Sequence, residues 1–289
     1  MPVCSTKTLG QVACHLAFCT PLLLGSAMAQ ESPASTAALP LWEAGVFAGG
    51  ISTPAYPASS ERNQRALVLP FLVYRGEVFR ADRNGVGARM VHTERFELDI
   101  GFAGSLPASS NDIQLRQGMP DLGTLIEFGP RAKMTLAEPA PGQRATFELP
   151  LRAVLEFNGG VRQVGYALEP KLAYEWRTLG DWRLKSAVSL VLGDQQLNQY
   201  FYGVSGGYAT ASRPAYEAQA GLISSRLTVD GGRRLTPDVN LFAFARYDLH
   251  EGAANRASPL FAQNQGSSVG LGLTWTLGRS SRTAGDNTP

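Results

Sequence analysis

The sequence predicts an all-β fold, an antiparallel transmembrane β-barrel of about twelve strands with ten as the alternative. Between residues 161 and 192, apolar and polar residues alternate along two runs joined by a turn at 178–180, and this period of two is that of a strand with one apolar face. Each run spans roughly 12 to 15 residues, whereas strands of soluble proteins usually span about 5 to 6. Long and short connections also alternate along the chain, as in outer-membrane barrels. A soluble β-sandwich explains the hairpin but not this alternation of connections.

The first 29 residues have the composition of a secretory signal peptide. Lys7 provides a positive charge, an apolar run follows at 16–24, and Ala27-Met28-Ala29 is a small-x-small cleavage site. Residues 30–40, rich in Ala, Ser and Pro, are expected to form a flexible leader. We expect no disulfide or thiolate site in the mature chain, because every cysteine lies in the predicted signal: Cys4, Cys14 and Cys19.

Charge and the lengths of the apolar runs narrow the function classes. The chain carries 26 basic and 24 acidic side chains, a net charge of +2, which gives no reason to expect nucleic acid as a partner. After the signal, no apolar run approaches the roughly 18 residues that suggest a transmembrane helix. An exported chain can still span a membrane as a closed barrel, because closure gives every backbone group a hydrogen-bond partner.

The barrel is predicted at 41–278 and a polar tail at 279–289. Its strands are predicted at 41–52, 65–74, 77–83, 86–90, 95–105, 122–136, 144–157, 164–176, 182–192, 221–235, 239–248 and 267–277. The count falls to ten if the hairpin around Asn84-Gly85 is irregular. Polar loops are predicted at 53–64, 106–120, 193–215 and 249–266.

Alternation assigns the faces of these strands. The side chains predicted to face lipid include Leu151, Leu168, Leu184 and Leu273, and Val164 falls on the same face as Leu168. The strand at 239–248 alternates poorly, because Phe242 and Phe244 share a face with Asn240 and Arg246.

The polar faces of the central strands carry nearly balanced acids and bases, so we predict a paired charge network inside the lumen. Its predicted members are Glu97, Asp99, Glu127, Arg131, Lys133, Glu148, Arg152, Glu156, Glu169, Lys171, Arg183 and Lys185. The four tryptophans all fall at strand ends on the side of the short turns, which predicts an aromatic girdle at the periplasmic interface. They are Trp42, Trp176, Trp182 and Trp275.

Several segments resemble the MipA/OmpV family of MltA-interacting proteins from Gram-negative outer membranes. The segments are LPFLVYRGEVFRADRNGVGARM at 69–90, GMPDLGTLIEFGP at 118–130, LPLRAV at 149–154, YFYGVS at 200–205 and FARYDL at 244–249. The first of them contains the family-motif residues Tyr74, Arg75, Gly76, Arg80, Asp82, Arg83 and Gly85. The family usually ends at an aromatic residue that closes the last strand, whereas this chain continues beyond Trp275-Thr276-Leu277.

The resemblance implies a protein of the cell outer membrane. Its implied role is a scaffold that holds a murein lytic transglycosylase together with a bifunctional murein synthase, in contact with outer-membrane lipid and the barrel-insertion machinery. Family members are also linked to permeability and adhesion. The resemblance implies no catalytic residues, because the family motifs have no assigned catalytic roles.

Candidate catalytic chemistry is sparse. The mature histidines, His92 and His250, are predicted near opposite ends of the barrel, so no shared metal site or acid–base pair is expected. His250 with Ser258 is conceivable as a hydrolase pair, but a solvated loop histidine is the favoured interpretation. We therefore expect no enzyme, no metal and no cofactor.

Three functions stay open: a murein-enzyme scaffold, a small channel or permeability protein, and an adhesin that uses the long loops.

Overall fold

The computed structural model describes residues 40–75, 79–82, 85–178 and 182–283, with the backbone alone at 79–82 and 85–92. Its strands are β1 Trp42–Pro54, β2 Arg62–Arg75, β3 Phe79–Asp82, β4 Gly85–His92, β5 Phe96–Ser105, β6 Thr124–Ala137, β7 Arg144–Phe157, β8 Val161–Leu168, β9 Lys171–Arg177, β10 Arg183–Gly193, β11 Gly221–Arg234, β12 Val239–Leu249 and β13 Gln265–Arg279. Within this part of the chain, one α-helix, α1, spans Gln195–Tyr202. The predicted signal peptide, the leader up to residue 39 and the tail from 284 onward lie outside the described residues.

The strands form one antiparallel circuit. Each pairs with its neighbours, β13 pairs with β1, and β10 pairs with β11, so the sheet closes on itself. Both β8 and β9 lie between β7 and β10, and they are halves of one strand divided at Glu169-Pro170, because Pro170 has no N–H to donate. Hydrogen bonds from Glu169 N to Pro150 O (3.2 Å) and from Leu190 N to Pro170 O (3.1 Å) continue the pairing across the division. The predicted antiparallel barrel is confirmed, and with β8 and β9 taken as one strand the described part of the chain holds twelve strands, the number expected.

Side chains alternate between the lumen and the outer surface. On β7, Leu151 is 48% exposed on the outside, while its neighbours Glu148 and Arg152 are buried. On β13, Leu273 is 43% exposed and Ser268 is buried. A broad apolar outer surface is what a lipid-embedded barrel requires. None of the helices in the described part of the chain is long and apolar enough to cross a membrane.

Val164 departs from the predicted lipid-facing side. Gly165, with φ +131°, sits where the β7–β8 register shifts, opposite Val154. The extra residue of this bulge turns Val164 inward, where it packs with Val154 and Leu197. The prediction for Val164 is wrong because strict alternation holds only where no residue is inserted.

The two ends of the barrel differ. One end has short connections at 93–95, 138–143, 178–182 and 235–238, and the other has the long ones at 55–61, 106–123, 194–220 and 250–264 together with a short turn at 158–160. The short-connection end is also where residues 280–282 return to β1: Ser280 N donates to Trp42 O (2.9 Å) and Leu41 N to Arg282 O (2.8 Å). The buried apolar clusters lie at the long-loop end.

Candidate functional site

A chain of ion pairs follows the lumen wall from β6 to β12. Arg152 lies at its start, donating from Nε to Glu127 and from a terminal nitrogen to Glu169, each at 2.8 Å. Glu169 also accepts from Ser189 (3.0 Å) and lies 3.5 Å from Lys171 Nζ. Arg152 and Glu169 are both buried, and each charge needs its partners because water is largely excluded there.

Two further clusters involve predicted lumen residues. Lys185 Nζ donates to Glu148 at 2.9 Å and lies 3.3 Å from Glu175. Arg131 binds Asp99 in a two-point contact across the paired strands β5 and β6. Such bidentate arginine–carboxylate pairs are among the stronger ion pairs. The lumen thus holds neutralised clusters rather than a ring of one charge sign.

The remaining predicted network residues are placed differently. Lys133 lies opposite Glu97 and Glu148 in the strand registers, while Glu156 pairs with Arg162 at 2.5 Å near the long-loop end. Arg183 is not joined to an acid in the described part of the chain. It lies near Arg234, so it belongs to the basic short-turn end rather than to the network.

The sequence reasoning missed the continuation of the network on β11 and β12. Arg226 Nε donates to Asp248 at 2.7 Å and lies 3.7 Å from Glu169 through its terminal nitrogen. Arg246, on the same inward face as Asp248, stacks over Phe244 with its guanidinium carbon 6.0 Å from the ring centroid. The poor alternation of this strand was the available signal, because it marked an inward face that mixes charged and aromatic residues.

The four long connections at 55–61, 106–123, 194–220 and 250–264 fold together into a packed structure, here called the lid. Residues from all four share its apolar core: Tyr56, Ala108, Ile113, Leu122, Val204 and Leu260. Tyr56 donates to Leu260 O at 2.6 Å, and Ser258 donates to Tyr202 O at 2.7 Å. These loops arise from opposite parts of the barrel wall, so the lid that they form together extends across the mouth of the barrel.

Arg116 is a buried cation of the lid. It donates to Ser110 Oγ, Phe201 O and Pro120 O at 3.3–3.4 Å and lies 5.8 Å over the Tyr56 ring. Burial lowers the pKa of Arg116 and raises the pKa of Tyr56 to about 12. Tyr56 therefore keeps the proton that it donates to Leu260 at all physiological pH values.

Helix α1 is the part of the lid that inserts into the lumen. Asp194 caps its N-terminus by accepting from Leu197 N (2.9 Å), and Leu197 packs in one core with residues of β6, β7, β8, β10 and β11. A Cβ on Gly165 would lie 2.3 Å from Asp194 Oδ1, so the β8 bulge needs glycine to admit the helix. At the other end, Tyr200 donates to Glu156 (2.9 Å), which ties the helix to β7.

A cavity of about 610 Å³ lies between the lid and the walls. Its lining includes Tyr56, Leu197 and Phe201 from the lid, and Phe47, Phe242, Phe244, Arg152, Arg226, Arg246 and Asp248 from the strands. A second cavity of about 910 Å³ opens at the short-turn end and includes Arg183 and Lys185 in its lining. Phe242 lines both cavities and packs on Phe47 with ring centroids 5.3 Å apart, so these two rings lie between them.

The short-turn end carries the tryptophans and a group of arginines. Trp42 begins β1, Trp176 lies near the end of β9, Trp182 immediately precedes β10, and Trp275 lies near the end of β13. The arginines, here called the arginine rim, are Arg177, Arg183, Arg233 and Arg234. Arg177 and Arg183 are direct cross-strand neighbours, which concentrates positive charge at this end.

The other predicted candidates are engaged or undescribed. His250 Nδ1 donates to Ile223 O at 2.9 Å, and Ser258 donates to a carbonyl of the lid, so each is held by the main chain. Among family-motif residues, Arg75 pairs with Glu43 at 3.0 Å, and Tyr74 lies opposite Trp42. The backbones of Arg80, Asp82 and Gly85 form the β3–β4 hairpin, while Gly76 and Arg83 lie outside the described residues. The described residues contain no group of three metal-ligating side chains.

Comparison with known proteins gives one family match. A family model described as MltA-interacting protein MipA matches residues 46–277, nearly the whole barrel. No curated protein matches the chain.

Solved structures resemble the chain more distantly. The NanC porin aligns with TM-score 0.40 and 11% identity, covering 80% of this chain and all of that one. Outer membrane phospholipase A from Escherichia coli aligns with TM-score 0.35 and 12% identity, covering 81% and 92%. The CymD monoaromatic hydrocarbon channel aligns with TM-score 0.35 and 9% identity, covering 85% and 90%. Because these scores are below 0.5, we draw nothing about function from them.

Proposed function

We propose that this chain, which belongs to the MipA family, is a closed, non-enzymatic outer-membrane β-barrel that acts as a scaffold for murein enzymes. The observation that carries the proposal is the lid. Loops from opposite parts of the wall share one apolar core, and helix α1 inserts into the lumen below that core. A packed cover is suited to a barrel that presents a surface to a partner rather than to one that passes solutes.

The charge distribution in the lumen supports a closed barrel. A selective ion pore carries rings of one charge sign at its constriction. Here Arg152, Arg226 and Lys185 each contact acids within 2.7–2.9 Å. Paired groups of this kind offer a passing ion no field of one sign.

The arginine rim is the surface that we assign to the partner. It lies at the short-turn end, which faces the periplasm in outer-membrane barrels. The family description names an interaction with MltA. An acidic surface on a murein lytic transglycosylase would complement Arg183 and Arg234, and complementary charge steers association and fixes orientation.

Conductance in planar lipid bilayers tests the closed state. We expect the refolded protein to insert without steady current, because the lid and α1 obstruct the lumen. An open porin in the same bilayers serves as the positive control. Steady open-pore current from the wild-type protein would contradict the closed barrel.

Capture of a purified murein lytic transglycosylase tests the scaffold role. We expect the immobilised wild-type barrel to retain the enzyme, and the double variant Arg183→Glu, Arg234→Glu to lose most of that binding. The control is Arg256→Glu, which makes one charge reversal of the same kind on the exposed surface of the lid. Absence of capture by the wild type would refute the scaffold, and equal capture by both variants would move its docking surface away from the rim.

A small uptake channel is the second candidate. The observation in its favour is that the two cavities share Phe242 and are separated by its contact with Phe47. Movement of those rings would join the cavities into one path. The bilayer experiment distinguishes this candidate, since it requires current or solute flux.

A further inference from the structure

Arg246 is a half-buried cation on the lumen face of β12. Its Nε is one of three buried side-chain polar atoms without a hydrogen-bond partner in the described part of the chain. None of the described residues accepts a hydrogen bond from its guanidinium or forms an ion pair with it. Buried polar atoms are normally paired, so a buried Nε without a partner, on a guanidinium that lines a cavity, indicates a missing acceptor.

The arginines around the cavity differ in their partners. Its lining includes the cations Arg152, Arg226 and Arg246 against the carboxylates Glu127 and Asp248. Arg152 and Arg226 are satisfied by those acids and by Glu169. Arg246 is therefore the arginine of this lining that no acid of the described residues binds directly.

The wall beside Arg246 is aromatic. Phe244 lies under the guanidinium, and Phe242 and Phe47 continue the surface along the lumen. These rings lie against glycines: a Cβ at Gly270 would be 2.3 Å from Phe244, and one at Gly272 would be 2.3 Å from Phe47. The glycines leave the rings space close to the wall, so that apolar faces border the cavity instead of filling it.

We propose that this cavity binds a small monocarboxylate with an apolar body. Its carboxylate accepts hydrogen bonds from Arg246, and its apolar part packs on Phe242, Phe244 and Phe47. Arginine suits this role because its planar nitrogens match the two oxygens of a carboxylate. The cavity volume of about 610 Å³ falls in the range of small-molecule sites. The proposal concerns the lumen and does not depend on the scaffold role.

Benzoate, benzyl alcohol and benzylamine form a matched probe set, since they share the ring and differ in charge. Equilibrium dialysis of the refolded barrel in an uncharged detergent measures the binding of each. We expect saturable binding of benzoate, with benzyl alcohol and benzylamine at least about tenfold weaker, because one charge-assisted hydrogen bond accounts for about that factor. Equal binding of benzyl alcohol would overturn the assignment to a carboxylate, and no saturable binding of benzoate would overturn the site.

Substitution at Arg246 tests its role. Arg246→Gln should weaken benzoate binding at least about tenfold. Arg246→Lys should retain part of the affinity, since lysine keeps the positive charge but lacks the planar pair of nitrogens that matches a carboxylate. Arg256→Gln, on the exposed lid surface, should bind as the wild type does. Arg246→Gln should fold normally, because it removes a half-buried charge that no acid of the described residues binds, and its unboiled gel mobility and urea midpoint verify this. Wild-type benzoate affinity in a folded Arg246→Gln variant would refute the proposal.

Discussion

Removing the Arg152 guanidinium tests whether the lumen network stabilises the barrel. In Arg152→Met the apolar stem is kept while both ion pairs are lost. Glu127 then loses the partner at 2.8 Å, and Glu169 loses one of several. The variant therefore measures the loss of folding stability that results when the two carboxylates no longer share a cation.

The expected decrease in the free energy of unfolding depends on how deeply the two acids are buried. Breaking a fully buried ion pair costs about 3–5 kcal/mol, because the remaining charge is left unpaired. The Glu169 side chain is only 6% exposed but keeps Ser189, Lys171 and Arg226 nearby, whereas Glu127 is 21% exposed and recovers some hydration. We expect the free energy of unfolding to fall by about 2–3 kcal/mol, below that full cost.

Arg144→Met is the matched control. It lies on the same strand and pairs with Glu138 at the same 2.8 Å, but these side chains are 50% and 54% exposed. An exposed pair contributes about 0–1 kcal/mol, so this variant should unfold close to the wild type. Reversible urea unfolding of the refolded barrel measures both. Equal midpoints for the two variants would show that water fills the lumen around Arg152 and would remove the basis of the estimate.

Two further perturbations test the facing of the strands and the seating of α1. At the bilayer midplane, Leu151→Arg on the lipid side should destabilise the barrel by about 2–4 kcal/mol in the same urea assay. Leu151→Met, the control, should leave the stability unchanged. A Leu151→Arg variant as stable as the wild type would argue against lipid contact at this position. Gly165→Val should displace α1 through its clash with Asp194 and so speed proteolysis of residues 194–220. Gly160→Val, the control, has open space around it and should leave the cleavage rate unchanged. Identical cleavage rates for the two variants would contradict the contact between α1 and Gly165.

The strands could be predicted because lipid and lumen impose opposite demands on neighbouring residues. The strand predicted at 144–157 is observed with those bounds, and β3 and β4 pair on either side of the position where Asn84-Gly85 predicts a turn, with Asp82 opposite Gly85. Glu148, Arg152 and Leu151 take the predicted sides. A period of two is a local signal, so it needs no knowledge of the partner strands.

The lid and α1 were missed because their structure depends on distant contacts. The segment 193–215 was predicted to be a polar loop. Asp194 followed by Leu197 and Phe201 at helical spacing was a possible start signal, but an isolated helix of eight residues is marginal. It is stable here because Leu197 packs on five strands of the wall. Those strands come together only in the closed barrel.

The site around Arg246 shows what cross-strand register adds to a sequence pattern. Within β12 alone, Phe242 and Phe244 on the face of Asn240 and Arg246 look like a failure of alternation. The register places Phe242 opposite Gly272 and Phe244 opposite Gly270. Each bulky ring therefore faces a residue with no side chain, and each phenylalanine–glycine pair takes up about the same space as two lumen residues of ordinary size. The glycines of β13 and the phenylalanines of β12 are thus complementary features of one wall, and their pairing places an aromatic surface beside an unpaired arginine.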